Sequence, residues 1–118
     1  MTGWVLAIDF GTTSTAAARR VRDRVELVQL HGAPRIPSAA FWREADEGRT
    51  TGRLLIGAEA EERASIAPWC LERNPKERLG EEFIQLGDKQ MRPVEIVAAI
   101  YREFLDEAIR LGGGEPPA

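Results

Sequence analysis

The alternation of apolar and polar positions predicts a chain that begins with short strands and ends with a long helix. Residues 4–8 (WVLAI) form an unbroken apolar run, which predicts a strand buried on both faces. The small residues at 15–19 favour a second strand packed close to a neighbour, although the alanines would also allow a helix. A turn at Asp23 and Arg24 then leads into residues 25–30, which predict a half-buried third strand.

The middle of the chain alternates short apolar runs with turns. Residues 35–42 predict a strand entered through proline, and the charged residues 43–52 predict an exposed turn. A short strand is expected over 54–56. Acidic residues crowd the start of a predicted helix over 58–67, where they complement the helix dipole, and Pro68 ends it.

The last third has the clearest periodicity. Residues 83–91 predict a hairpin with a two-residue turn at Gly87 and Asp88. A helix is predicted over 93–111, followed by a loose glycine- and proline-rich tail. Its expected buried stripe is Val94, Val97, Ala98, Tyr101, Phe104, Leu105, Ala108 and Ile109. Arg102–Asp106 and Asp106–Arg110 are the predicted exposed ion pairs.

Composition narrows the class of protein. The chain has 118 residues, 43% of them hydrophobic and 30% charged, which is typical of a globular domain. A net charge of −3 predicts no nucleic-acid surface, and no apolar stretch is long enough to predict a membrane span. The lone Cys70 allows no internal disulfide, so a cytoplasmic location is expected. His31 is expected at the surface, Cys70 as a half-buried filler, and the three tryptophans in a core or interface.

The most informative chemistry follows the first apolar run. Asp9 ends the strand, and Gly11, Thr12, Thr13 and Ser14 form a small, hydroxyl-rich turn. Glycine allows close backbone approach, and consecutive amides of such a turn can point at one anion. A carboxylate beside it suits a hydrated Mg²⁺, which keeps several waters and binds few protein ligands. The pattern predicts a polyphosphate site. The alternative is an ordinary hairpin with a polar turn.

Residues 7–15 (AIDFGTTST) resemble the first phosphate-binding hairpin of the actin-like ATPase superfamily, which includes DnaK-type chaperones, actin and sugar kinases. The sequence has no Walker loop and no dinucleotide-binding glycine motif. Later segments resemble the DnaK-type branch in order: residues 36–41 (Pro-Ser before a strand, with Ile36 in place of threonine), 55–60, 76–80 and 87–109. Sugar kinases share the first motif but not this series.

The resemblance implies an α/β fold of the actin-like, ribonuclease-H-like kind. A mixed sheet would open with an antiparallel meander, and a small α+β lobe would follow. The expected organisation of this single partial domain is a phosphate-hairpin sheet over 1–36, a small lobe over 37–92, a long helix over 93–111 and a tail over 112–118. The chain would be the opening third of a longer ATPase domain.

The resemblance also implies site residues. Asp9 would hold magnesium through water, and Gly11, Thr12 and Thr13 would cradle the β- and γ-phosphates of ATP or ADP. Ser14 belongs to the same nucleotide-binding loop without an assigned contact.

Lys76 would be the catalytic lysine that reaches the γ-phosphate and the attacking water. Arg73 or Arg78 would take this position if the correspondence were shifted by a few residues. The alternative is that Lys76 is a solvated surface lysine in a charged loop.

The implied function is that of a DnaK-type chaperone ATPase, with in-line attack of water on the γ-phosphate of Mg-ATP. Its partners would be unfolded polypeptides and co-chaperones or a nucleotide-exchange factor, with neither nucleic acid nor membrane involved. The 118-residue chain by itself is expected to be nearly inactive. The alternatives are a carbohydrate kinase of the same superfamily and a non-catalytic nucleotide-sensing or scaffold module.

Overall fold

The structure is a computed structural model that describes residues 3–45 and 51–118; part of the predicted exposed turn over 43–52 lies outside these residues. The fold is mixed α/β. The strands are β1 Trp4–Phe10, β2 Ser14–Val21, β3 Arg24–Val28, β4 Arg35–Pro37, β5 Ala40–Arg43, β6 Arg53–Ile56, β7 Leu71–Glu72, β8 Ile84–Leu86 and β9 Lys89–Met91. The helices are α1 Ala58–Arg63 and α2 Pro93–Leu111, with short 3₁₀ helices at Pro68–Cys70 and Pro75–Arg78. Within the described ranges, no helix is long and apolar enough to cross a membrane.

The first sheet is built around β2. Strand β1 pairs with one edge of β2, and β3 and β4 share the other edge. The β2–β3 turn consists of Arg22 and Asp23, one residue earlier than predicted, with Arg22 in the left-handed region at a φ of 59°. Every strand pair in the described part of the chain is antiparallel, so the expected mixed sheet is not found there.

The prediction that β1 is buried on both faces is wrong. Its burial alternates: Leu6 and Ile8 pack against the core beneath α2, while Val5 is 50% exposed and Asp9 is exposed. The second face of this sheet is open, since Val25 and Leu27 of β3, which lie on it with Val5, are also exposed. An apolar run shows that both sides of a strand tolerate burial, but only the placement of other elements decides which side is covered.

The single strand predicted over 35–42 is two strands in two sheets. Strand β4 pairs with β2, whereas β5 pairs with β6 and β7 in a second, three-stranded sheet. The chain crosses between the sheets at Ser38 and Ala39, both fully buried. Because both halves are apolar, the sequence pattern does not reveal the change of partner.

Helix α1 is shorter than predicted. It ends at Arg63 rather than near residue 67, and Ser65 caps the following turn by donating to the Glu62 carbonyl at 3.3 Å. Ala67 has a φ of −142° because the residue before a proline avoids helical geometry. The predicted hairpin is confirmed: β8 and β9 pair with Leu86 opposite Lys89, around the predicted two-residue turn.

Helix α2 has the predicted bounds but a different buried face. The buried residues repeat mainly every four positions: Pro93, Ile96, Ile100, Phe104 and Ala108. Val94 is 50% exposed and Tyr101 40% exposed, although both belong to the predicted stripe. The helix has apolar residues on two adjacent stripes, so periodicity alone does not fix which stripe faces the sheet.

The ion pairs of α2 agree with prediction only in part. Arg102 and Asp106 lie 3.9 Å apart, as predicted. Arg110 instead pairs with Glu107 at 2.6 Å, three residues before it, so the predicted Asp106–Arg110 pair is wrong. The Arg110 guanidinium donates two hydrogen bonds to Glu107, which is the geometry that arginine prefers with a carboxylate.

Two apolar clusters hold the chain together. The larger joins the first sheet, parts of the second sheet and α2; its members are Trp4, Ala17, Val28, Leu30, Ile36, Ala40, Ile56, Ile84, Leu86, Met91, Ile96, Ile100, Phe104 and Ala108. The smaller consists of Ala39, Phe41, Leu55, Ala60 and Cys70. The segment predicted as a small lobe contributes five residues to each cluster, so it shares part of its core with the first sheet.

The tail packs on the first strand instead of trailing free. The Trp4 indole donates to the Glu115 carbonyl at 3.0 Å, and the Ala118 amide donates to the Trp4 carbonyl at 2.9 Å. Trp4 is accordingly buried. Trp69 is 64% exposed, so the expectation that all three tryptophans lie in a core or interface is wrong for Trp69.

Candidate phosphate-binding site

The turn between β1 and β2 is closed by one backbone hydrogen bond. The Gly11 amide donates to the Ser14 carbonyl at 2.9 Å, which leaves Thr12 and Thr13 at the exposed tip. A Cβ at position 11 would lie 2.6 Å from the Ser14 carbonyl oxygen. Glycine is therefore required for close approach within the turn, and its φ is not positive.

The tip of the turn presents several free donors. Within the described residues, no hydrogen bond uses the backbone amides of Thr12 and Thr13, and both side chains are exposed. Adjacent free amides with two hydroxyls form a group that can bind an anion. This is the chemistry expected of the turn from the sequence.

Ser38 fixes the turn from beneath. Its hydroxyl donates to the Gly11 carbonyl at 2.9 Å and lies 2.7 Å from the Thr15 hydroxyl oxygen, and its amide donates to the Thr13 carbonyl at 2.9 Å. Ser38 and Thr15 are fully buried. Sequence reasoning used Ser38 only as part of a resemblance and missed this supporting role, which depends on the crossing between the two sheets.

Lys76 lies at the same site. Its ammonium donates to the Phe10 carbonyl at 3.2 Å across 66 residues of sequence. The short 3₁₀ helix that contains Lys76 packs against α2, and Pro75 at its start is buried. The fold therefore brings this exposed lysine beside the strand end that precedes the turn.

The two alternative cations are engaged elsewhere. Arg73 lies 3.8 Å from Glu61, and Arg78 lies 3.0 Å from both Glu72 and Glu81. Among the three candidates from this segment, Lys76 is the one whose contact is with the turn-bearing strand.

Asp9 is an open carboxylate with a partner that sequence reasoning did not identify. Its side chain is 76% exposed, and the Arg35 guanidinium lies 3.8 Å from it. Arg35 also donates to the Ser14 hydroxyl at 3.0 Å. Nothing in the sequence pattern marks Arg35, because its proximity to Asp9 depends on β4 pairing beside β2.

The donor set around the turn fits a cation that keeps its water ligands better than one coordinated entirely by protein side chains. The described residues contain no group of three or more His, Cys, Asp or Glu side chains placed to hold a metal ion. One exposed carboxylate beside hydroxyl and amide groups suits Mg²⁺, which binds through few carboxylates, water and phosphate oxygens, although the Arg35 guanidinium now lies beside that carboxylate. Asp9 is the side chain that would hold it.

A cavity of about 690 Å³ lies elsewhere, between the His31–Gly32 loop and the end of α2. Its charged lining includes Glu103, Asp106 and the internally paired Glu107 and Arg110. None of its lining residues belongs to the turn, so this cavity is separate from the candidate site.

Comparison with family models and with curated sequences identifies no relative. No family model matches the chain, and no curated protein sequence matches it significantly. The assignment of function therefore depends on the residues and geometry of the turn.

Proposed function

We propose that this chain binds the polyphosphate of ATP at the Gly11–Ser14 turn and forms one wall of the nucleotide site of a DnaK-type, actin-like ATPase domain. The observation that supports this most directly is the contact of Lys76 with the Phe10 carbonyl at 3.2 Å. An aspartate, a turn with free amides and a lysine from a distant segment meet at one place. Each is a group that phosphate recognition uses.

Each residue of the candidate site has a different role in binding ATP. The amides and hydroxyls of Thr12 and Thr13 donate to phosphate oxygens, and Gly11 lets the turn close tightly. Lys76 supplies a compact positive charge that rotates from the Phe10 carbonyl toward the terminal phosphate. Asp9 would hold magnesium through water, and the metal would neutralise charge on the phosphates.

Phosphoryl transfer to water depends mainly on positioning and on stabilising charge, and both are functions of these groups. Lys76 stabilises negative charge on the γ-phosphate and orients the attacking water. The turn lies on an open surface, with Thr12 and Thr13 exposed. An open surface of this kind contacts and orients only one side of the nucleotide. We therefore expect this chain alone to hydrolyse ATP slowly.

Calorimetric titration of the 118-residue chain with ATP, ADP and AMP in Mg²⁺ tests the proposal. We expect ATP to bind more tightly than AMP, because the contacts are to the outer phosphates. Lys76→Ala should weaken ATP binding about tenfold, the size of a lost charged hydrogen bond. Lys89→Ala is the matched control, since Lys89 stacks on Trp42 and lies outside the site.

Equal affinity for ATP and AMP would contradict phosphate recognition by the turn. ATP turnover that is unchanged by Lys76→Ala in the complete ATPase domain would favour the nucleotide-sensing alternative or a shifted position of the catalytic cation. ATP consumption that depends on an added sugar would favour the carbohydrate kinase. The chaperone assignment further requires that polypeptide binding by the protein respond to nucleotide.

A further inference from the structure

Asp9, Ala16 and Arg35 form one row across three strands. Asp9 on β1 is the cross-strand partner of Ala16 on β2, and Ala16 is the partner of Arg35 on β4. Side chains in such a row project from the same face of the sheet. This is the open face of the sheet, on which Val5, Val25 and Leu27 are each at least 50% exposed.

The small residue in the middle lets the two outer side chains meet. Neighbouring strands are about 4.8 Å apart, so the outer backbones of the row are separated by roughly twice that distance. A long side chain at position 16 would fill the gap, whereas the methyl group of Ala16 leaves room for the arginine to cross. The guanidinium reaches 3.8 Å from the Asp9 carboxylate and 3.0 Å from the Ser14 hydroxyl.

The Asp9–Arg35 ion pair is weak enough for a divalent cation to replace the arginine. The Arg35 side chain is 53% exposed and that of Asp9 76% exposed, so water screens their attraction. A divalent cation at Asp9 would occupy the space beside the carboxylate where the guanidinium now lies, and the two positive charges would repel each other. Arg35 and the metal are therefore alternative partners of the same carboxylate.

From this geometry, and resting on the proposed function, we infer that Arg35 competes with the divalent cation for Asp9 and so sets the metal affinity of the site. When the metal arrives together with a polyphosphate, the displaced guanidinium gains phosphate oxygens as acceptors, which suit its planar fork. When the metal arrives alone, the guanidinium loses its carboxylate without replacement. The site thereby selects the metal–nucleotide complex over the free metal.

Titration of the ¹⁵N-labelled chain with MnCl₂ alone tests this inference, because bound Mn²⁺ broadens nearby amide signals. The readout is the Mn²⁺ concentration that half-broadens the amides of residues 9–16. We expect Arg35→Ala to lower this midpoint about threefold, in keeping with the loss of an exposed ion pair. Arg35→Glu should lower it further by adding a second carboxylate, and Arg35→Lys should stay near the wild-type value.

Arg24→Ala is the matched control. Arg24 is an exposed arginine at the other end of the same sheet, paired with Glu26 at 2.9 Å, and its removal changes the net charge equally. We expect it to leave the midpoint at residues 9–16 unchanged, and Asp9→Asn to abolish the local broadening.

An equal Mn²⁺ midpoint in wild type, Arg35→Ala and Arg35→Glu would overturn the inference, even if the chain binds Mg-ATP. A lowered midpoint in these variants, together with no binding of ATP by any of them, would uphold competition at Asp9 and refute the proposed nucleotide site. The experiment can therefore refute competition at Asp9 and the proposed nucleotide site independently of each other.

Discussion

Ser38 supports the candidate site although it is fully buried beneath the turn. Its hydroxyl contacts the Gly11 carbonyl and the Thr15 hydroxyl, and its amide contacts the Thr13 carbonyl. One residue therefore restrains both ends of the Gly11–Ser14 turn. In this role, Ser38 is a positioning residue.

We expect Ser38→Ala to lower the free energy of unfolding by about 1–3 kcal/mol, because two buried polar groups lose a partner. It should also weaken ATP binding by loosening the turn. Urea unfolding followed by circular dichroism measures the first effect and calorimetry the second. Ser65→Ala is the control, since Ser65 makes an exposed hydrogen bond to Glu62. Equal stability of Ser38→Ala and wild type would show that this network does not support the turn.

Cys70 illustrates how burial changes chemistry. Burial raises the pKa of its thiol, and the nearby carboxylates of Glu44 and Asp88 raise it further. The side chain is only 1% exposed and belongs to the smaller apolar cluster. A thiol that stays protonated and covered is a poor nucleophile, so Cys70 acts as a packing residue and is more buried than the sequence predicts.

At the scale of elements, the end of α2 contains the best-formed ion pair. Hydrogen bonding to Arg110 lowers the pKa of Glu107 from its ordinary value of 4.5, and the charge of Arg110 lowers it further. Arg110 follows Glu107 by three residues and lies in the last turn, where a cation complements the helix dipole.

A lowered pKa makes the stabilisation by Glu107 dependent on pH. The contribution is fully present above about pH 4.5, the value expected in the unfolded chain, and is lost as pH falls through the lower folded value. We expect Glu107→Gln to be less stable than wild type at pH 6–7, and the difference to shrink below pH 4.5. Thermal unfolding between pH 3 and pH 7 measures this.

Glu103→Gln is the matched control for charge, because Glu103 lies on the same helix and has no ion pair within the described ranges. A stability difference between Glu107→Gln and wild type that stays constant from pH 3 to pH 7 would show that the pair does not titrate with folding.

At the scale of the whole molecule, α2 links the two sheets through one core. Phe104 is fully buried in the larger cluster, which draws residues from both sheets and from the β8–β9 hairpin. Tyr101, three positions before it, is 40% exposed and makes an edge-to-face contact with Phe10 at 5.8 Å. Phe104 therefore lies on the buried stripe of α2, and Tyr101 lies on the partly exposed flank of that stripe.

We expect Phe104→Ala to cost about 3–5 kcal/mol, since it opens a cavity in the shared core. Tyr101→Ala should cost less than half as much. Far-ultraviolet circular dichroism and tryptophan fluorescence should report coincident urea midpoints in both variants, because Trp4 and Trp42 report on different sheets of one cooperative unit. Equal destabilisation by the two variants would place the buried face of α2 where the sequence predicted it.

The molecule is less compact than a typical domain of its length, and one face of its first sheet is exposed. The radius of gyration is 15.5 Å, against about 13.5 Å for a compact domain of this length. Val5, Val25 and Leu27, each at least 50% exposed, lie on the face that also presents Asp9 and Arg35. The candidate site therefore lies at the margin of an open apolar surface.

Features that depend on local interactions could be predicted from the amino-acid sequence. The bounds of α2, the turn of the β8–β9 hairpin and the hydroxyl-rich turn after β1 follow from proline, glycine and periodicity within a few residues. Such features depend on neighbours in the chain, which the sequence displays directly. Asp9, Gly11, Thr12 and Thr13 could be predicted as candidate site residues in the same way, because they lie in one short segment.

Contacts between residues of distant segments could not be predicted from the sequence, because they depend on how the elements pack. Ser38 beneath the turn, Arg35 beside Asp9 and Lys76 at Phe10 depend on how β4 and the 3₁₀ helix pack. The covered face of β1 and the buried stripe of α2 were likewise decided by packing. Apolar patterns permit several pairings of similar energy, and the choice between them is made by contacts between segments far apart in sequence.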